Sequence, residues 1–301
     1  FAASFAVAGF FCPGGAQPPS LAARRNDEGA TCQRCHGALV RRARAGRGRV
    51  MTWILLRGLT REARHWGAFT ALFAAQIANG RLLALDLPGN GALNAIASPT
   101  RIDLMTDFCR DQLVLRGIAP PYRLLAISMG GMVATDWATR FPREIDAAVL
   151  INTSMRPFSP FYQRLRLRAW PRLLAGWVRS APEKESMLFS LTSNLGQAPA
   201  GLIDSWVAIR RSRPVATRNA LRQLLAAARY CAPKAPPPAA LLVLASAGDQ
   251  LVDTRCSQTL ARYWGCPIRT HPAAGHDVPL DDPSWVIHQV RDWLLHRARA
   301  V

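Results

Sequence analysis

Ala126, Ser128 and Gly130 form an A-x-S-x-G pattern inside Leu124-Leu125-Ala126-Ile127-Ser128-Met129-Gly130-Gly131-Met132-Val133, where an apolar run breaks at a serine and resumes with helical spacing. A serine on a sharp strand-to-helix turn needs tiny residues two positions to either side, since larger side chains would collide around it. The pattern predicts a nucleophile elbow, with alanine where glycine is the commoner first residue. A buried Ser-Gly turn without chemistry is the lesser alternative for the motif taken alone, and two downstream segments argue against it. A buried apolar strand beginning at Ala240 runs through Ala245-Ser246-Ala247-Gly248 into Asp249, and a short strand in the segment beginning at Pro267 leads through a loop to His276. A serine nucleophile needs a base for its proton and an acid to orient that base. Ser128, Asp249 and His276 occur in the required chain order, so the chemistry predicted is acyl transfer.

Rival residues stand near each of these. Asp253 follows Asp249 by four positions and is expected to cap the next helix at Arg255. Asp277 adjoins His276 but does not come off a strand. His271 lies within or at the end of a strand, His288 and His296 belong to the closing helix, and His65 to the opening of the first helix. The histidines lack paired spacing, no acidic cluster converges on one segment, and no glycine-rich phosphate loop precedes a lysine, so neither metal nor cofactor is expected.

The elements that must position these groups alternate. Strands are predicted over 53–56, 82–85, 122–127 and 147–151, with helices over 66–78, 102–116 and 129–140 between and after them. A long excursion over 156–238 comes next. The acid strand, a helix over 255–264, the last strand and a closing helix over 283–297 complete the chain. Such alternation predicts a parallel sheet of about six strands. Inside the excursion, helical spacing appears over 188–195, 202–211 and 218–230, and the proline-rich exit 232–238 reads as a stiff connector. The domains expected are a leader or disordered segment over 1–50 ahead of Met51, a core over 51–155 and 236–301, and an inserted helical lid over 156–235. Trp170, Trp177, Phe189 and Trp206 are candidates to line an acyl pocket, with plain packing as the equal alternative.

With five such segments in order, the chain from Met51 to about Ala298 resembles the α/β-hydrolase superfamily, and within it the small bacterial serine esterases of carboxylesterase type. Trp53-Ile54-Leu55-Leu56-Arg57-Gly58-Leu59 is similar to the strand that enters the family's oxyanion loop, where His-Gly is usual and Arg57-Gly58 stands here. Asp86-Leu87-Pro88-Gly89-Asn90-Gly91 matches the family's D-x-P-G-x-G turn, and Asp249 to Val252 its D-x-x-V form. The resemblance implies a mainly parallel sheet flanked by helices with an inserted helical lid. It also implies ester hydrolysis through an acyl-enzyme: Ser128 attacks, His276 moves the proton, Asp249 holds the imidazole, and the backbone N–H groups of Leu59 and Met129 receive the oxyanion. Arg57 in place of histidine leaves the direction of the Leu59 amide open. Serine at the elbow disfavours the dehalogenase and epoxide-hydrolase members, which use aspartate. Thioesterase, acyltransferase, carbon-carbon hydrolase and perhydrolase chemistry would use the same three residues.

Charge raises a different class. The 301 residues carry a formal +19, which would suit a nucleic-acid-binding protein, yet the only lysines are Lys184 and Lys234 and no groove-reading motif accompanies the arginines. The reading is therefore no nucleic-acid partner, with a basic non-catalytic binding protein as the alternative of another class. The excursion from Arg156 to Ala235 holds twelve arginines and two lysines against Glu183, Glu185 and Asp204. Such a lid would attract an acidic substrate. The expected partner is a small ester, with an anionic ester or an acyl group on an acidic carrier protein as the alternative; the chain is partly similar to carrier-protein methyl esterases. Cys32-Gln33-Arg34-Cys35-His36 has the form of a haem attachment site but lacks flanking residues able to build a core, so chance is the reading preferred. Seven unpatterned cysteines and no membrane-length apolar run point to the cytoplasm. A periplasmic or secreted location would follow only if the apolar segment Phe1 to Phe11 were a signal peptide.

Overall fold

Successive residues of a strand point to opposite faces of its sheet, and in runs such as Trp53-Ile54-Leu55-Leu56 both sets are apolar, which requires cover on both sides. The computed structural model describes residues 51–77, 81–176 and 179–299 and provides that cover. Strands β1 (Thr52–Leu56), β2 (Leu82–Leu85), β3 (Tyr122–Ile127), β4 (Ile145–Ile151), β5 (Ala240–Ser246) and β6 (Ile268–His271) make one sheet in the order β2-β1-β3-β4-β5-β6, every pair parallel. Ile54, Leu56, Leu124 and Ala126 face one side, where α2 (Ile102–Leu115), α3 (Met129–Arg140) and α7 (Thr254–Trp264) bring Met105, Trp137 and Leu260. Trp53, Leu55, Leu125 and Ile127 face the other, against Phe73 of α1 (Phe69–Ile77) and Ile287 of α8 (Pro283–Arg299). Parallel pairing also gathers the C-terminal ends of all strands on one edge, where ligands bind in open sheets of this kind. Ser128, Asp249 and His276 follow β3, β5 and β6 and so leave the sheet along that edge.

Between β4 and β5 the chain makes its excursion, with α4 (Ala181–Thr192), α5 (Leu202–Ser212) and α6 (Thr217–Arg229) preceded by short helical turns. It leaves and returns side by side, because Arg156 bridges Cys231 and its carbonyl accepts the Ala232 N–H at 2.7 Å. Phe189, Trp206 and Ile209 form a small apolar cluster of its own.

Two element boundaries differ from expectation for identifiable reasons. The single helix over 66–78 is split into a 3-10 turn, Ala63–Trp66, and α1, since Gly67 adopts φ +52°, which no α-helix can contain. Helix α4 starts at Ala181 and not 188, because Ser180 and Glu183 form a reciprocal capping box with Pro182 in the first turn. The expected leader with Cys32 to His36, and Trp177, lie outside the described residues. No described helix is long and apolar enough to cross a membrane.

Candidate active site

Ser128 joins the last residue of β3 to the first residue of α3 with φ +57° and ψ −121°. A non-glycine residue in that region costs about 1–3 kcal/mol and persists only when its surroundings dictate it. Three backbone contacts do so: the Ser128 N–H donates to the Ile151 carbonyl at 2.9 Å, and its carbonyl accepts from Gly131 N–H at 2.9 Å and Thr153 Oγ1 at 2.8 Å. Gly130 answers to space, and Gly58, outside the elbow pattern, does so as well. A Cβ on Gly130 would lie 2.5 Å from the Leu56 carbonyl oxygen, and one on Gly58 would lie 3.0 Å from Ser128 Cβ. Met129 opens α3, so its N–H has no acceptor within the helix and carries the positive end of the helix dipole.

Asp249 is buried in the turn after β5. One carboxylate oxygen accepts from the N–H groups of Leu251 and Val252 at 2.7 and 2.9 Å, and the other accepts from His276 Nδ1 at 2.7 Å. A carboxylate at Nδ1 fixes the proton there and leaves Nε2 as the basic nitrogen. Burial pushes the His276 pKa down, but the charge and hydrogen bond of Asp249, helped by Asp277 and opposed by Arg57, leave it raised above the ordinary value. Among the described residues, no hydrogen bond joins His276 to the Ser128 hydroxyl. The two segments are nevertheless tied through β4: Ile151 and Thr153 hold the serine backbone, and the side chain of Asn152 between them donates to the His276 carbonyl at 2.9 Å and the Gly275 carbonyl at 3.4 Å. The same side chain accepts the Ser246 N–H at 2.9 Å at the end of β5.

The rivals are occupied elsewhere. Asp253 caps α7 through the Arg255 N–H and pairs with the Arg255 guanidinium at 2.9 Å. His271 Nδ1 accepts the N–H groups of Ala273 and Ala274, while His288 and His296 are exposed. His65 is buried, accepts the Glu62 N–H, and is kept neutral by burial and by Arg61 and Arg57. Of the pocket candidates, Phe189 and Trp206 pack together in the excursion and Trp170 is exposed.

Sequence reading missed three contacts made by the segment that follows β1. Arg57 makes a bidentate, buried ion pair with Asp277 at 3.0 and 2.5 Å and lies over the Trp66 ring. Buried Glu185 of α4 holds Arg61 at 2.7 Å and Arg210 at 2.6 Å. Gln223 of α6 accepts the Thr60 N–H at 2.9 Å. Each partner pair is more than twenty residues apart in the chain, and only the bare residue types were visible.

The cationic excursion needs a correction. Arg164 donates to the carbonyls of Ala227 and Ala228, and Arg166 reaches Asp253 at 3.6 Å, so both are engaged with the protein. Arg168 faces solvent, as do Arg172 and Arg179.

The 2-succinyl-6-hydroxy-2,4-cyclohexadiene-1-carboxylate synthase of Serratia proteamaculans is 24% identical over 265 residues, which span 81% of this chain and 93% of that protein. A malate-bound thermophilic esterase from Thermogutta terrifontis superposes with a TM-score of 0.65 at 20% identity, covering 83% of this chain and 91% of that one. An enol-lactonase from Burkholderia xenovorans gives 0.64 at 19% identity, covering 83% and 93%. At such identities the solved structures speak to the fold alone. The model of the alpha/beta hydrolase family matches residues 53–289, and with the parallel sheet and the serine turn already described, this chain belongs to that family.

Proposed function

We propose that the protein is a serine hydrolase that cleaves carboxylic esters through an acyl-enzyme. The observation that carries this reading is the strained Ser128 at the start of α3, on the same sheet edge as the buried Asp249–His276 pair. In the reaction, Ser128 Oγ attacks the ester carbonyl carbon while His276 Nε2 takes the hydroxyl proton. The carbonyl oxygen becomes an oxyanion, received by the N–H groups of Met129 and Leu59. Collapse breaks the ester C–O bond, and the imidazolium gives its proton to the leaving alcohol. Water then repeats the sequence on the acyl-serine, with His276 again as base, and releases the acid. Asp249 keeps the imidazole in the needed tautomer and stabilises its charged form. The excursion over 156–235 serves as a lid, and its exposed Arg168, Arg172 and Arg179 favour a second reading in which the acyl group is anionic or sits on an acidic carrier.

The test is a panel of nitrophenyl esters and acyl thioesters of increasing chain length, run beside Ser128→Ala, with a fluorophosphonate probe read by peptide mass spectrometry. Label on Ser128 and loss of turnover in Ser128→Ala are expected. Label elsewhere, or full activity without the hydroxyl, overturns the assignment.

A further inference from the structure

Gly58 lies against the Ser128 side chain, and the backbone that follows it runs through Leu59 into a left-handed Thr60 with φ +57°. A threonine does not choose that conformation, so the segment Arg57 to Thr60 is imposed from outside. Two buried groups hold its ends. At one end the Arg57 guanidinium puts an N–H on each oxygen of Asp277, next in sequence to His276. At the other end Gln223 Oε1 accepts the Thr60 N–H at 2.9 Å, while its Nε2 donates to Asn90 Oδ1 at 2.8 Å and Ser98 Oγ at 3.0 Å. Those acceptors fix which way the amide faces. Asn90 then donates to the Arg61 carbonyl at 2.9 Å, just past the segment.

We propose that Arg57 with Asp277, and Gln223, are positioning residues that clamp the oxyanion loop and aim the Leu59 N–H at the reacting oxygen. The inference rests on the serine-hydrolase reading, and it answers what arginine does where the family has histidine. A guanidinium can bridge to the loop that carries the base, so one ion pair sets the oxyanion donor and the imidazole in a common frame. The pair is also balanced toward the base. The charged groups facing His276 are Asp249, Asp277 and Arg57, and the last two act on it in opposite senses. The chain thus gains a rigid tether without a net charge beside its base.

The test uses the full chain and the folded fraction of each variant. Gln223→Met keeps the side-chain length and removes the acceptor; it is expected to lower kcat by about tenfold to a hundredfold with KM nearly unchanged, the range for a slightly misplaced catalytic group. Affinity for a trifluoromethyl ketone, which forms an oxyanion on the serine, should fall by the same factor. Asp277→Asn should move the acid limb of the kcat/KM profile to lower pH, and Arg57→Gln to higher pH. The double variant Arg57→Gln/Asp277→Asn, which leaves no unpaired charge, should return the limb toward its original position while kcat stays low. If single charge variants do not fold, the double variant and Gln223→Met decide the matter. Unchanged kcat and ketone affinity in those two, with only the melting temperature lowered, overturn the clamp. Failure of the unmodified protein to take a fluorophosphonate at Ser128 would instead overturn the hydrolase reading beneath it.

Discussion

Asn152 offers the sharpest quantitative test of how the site is held together. Its side chain is buried, its backbone is left-handed at φ +44°, and its amide serves the end of β5 and the loop carrying His276 at once. Asn152→Ala strands the Ser246 N–H and the His276 carbonyl, and each buried polar group left without a partner costs about 1–3 kcal/mol. The longer contact to Gly275 adds little, so the expected loss is about 2–6 kcal/mol from these two groups. A second contribution is separable: alanine in the left-handed region costs about 1 kcal/mol more than glycine, so Asn152→Gly should be the milder of the two although it loses the same hydrogen bonds. For a domain of this size the Ala–Gly difference corresponds to about 2–4 °C in melting temperature. Urea unfolding with an unchanged slope would supply the free energies. Because the His276 carbonyl loses its anchor, kcat should fall more than KM rises. An Asn152→Ala protein within about 0.5 kcal/mol of the parent, the ordinary range for a surface change, would refute the reasoning. So would an alanine variant more stable than the glycine one.

If His276 is the base of the proposed mechanism, its raised pKa should place the acid limb of kcat/KM above the usual imidazole value, since a base must be neutral and activity is lost as pH falls through the raised pKa. A limb below about 6.5 would contradict the Asp249 contact. Asp249→Asn should cost about 10⁴ in kcat, as expected for loss of the orienting carboxylate. Asp253→Asn should leave turnover nearly intact, because Asp253 caps α7 and meets Arg255 away from the base; equal damage from both would reassign the acid. Arg164→Glu should lower the melting temperature by placing a carboxylate against two carbonyls, whereas exposed Arg168→Glu should leave it alone. If the charge of the excursion serves an anionic ester, Arg168→Glu alone reduces the salt dependence of that reaction.

Much of this architecture could be read from residue order. Doubly apolar runs separated by helical spacing announced the parallel sheet, and small residues around Ser128 announced the turn. Those signals are local, which is why they survive in a sequence. The Arg57–Asp277 pair spans 220 positions and obeys no spacing rule, and Asn152 looked like any polar residue after a strand. Helix α4 begins well before its apolar spacing becomes regular, because the capping box at Ser180 and Glu183 sets its start and apolar periodicity carries no trace of a cap. Arginine counts in the excursion could not separate Arg164, turned onto α6, from Arg168 in solvent.

Under the proposed function, the position of His276 just after β6 has a consequence for how the protein would lose activity. This strand is short, stands at the sheet edge, and has both Arg269 and Thr270 exposed. Elements with few buried apolar contacts open locally at lower free energy than the whole fold. Fraying of β6 would withdraw the imidazole while β1, β3 and β4 stay paired and the serine turn stays formed. Warming or mild denaturant should then silence turnover before helical circular dichroism changes, and amide exchange should be fastest at β6 among the strands. The inactive species would be a nearly intact molecule, ready to regain its base by closing one strand.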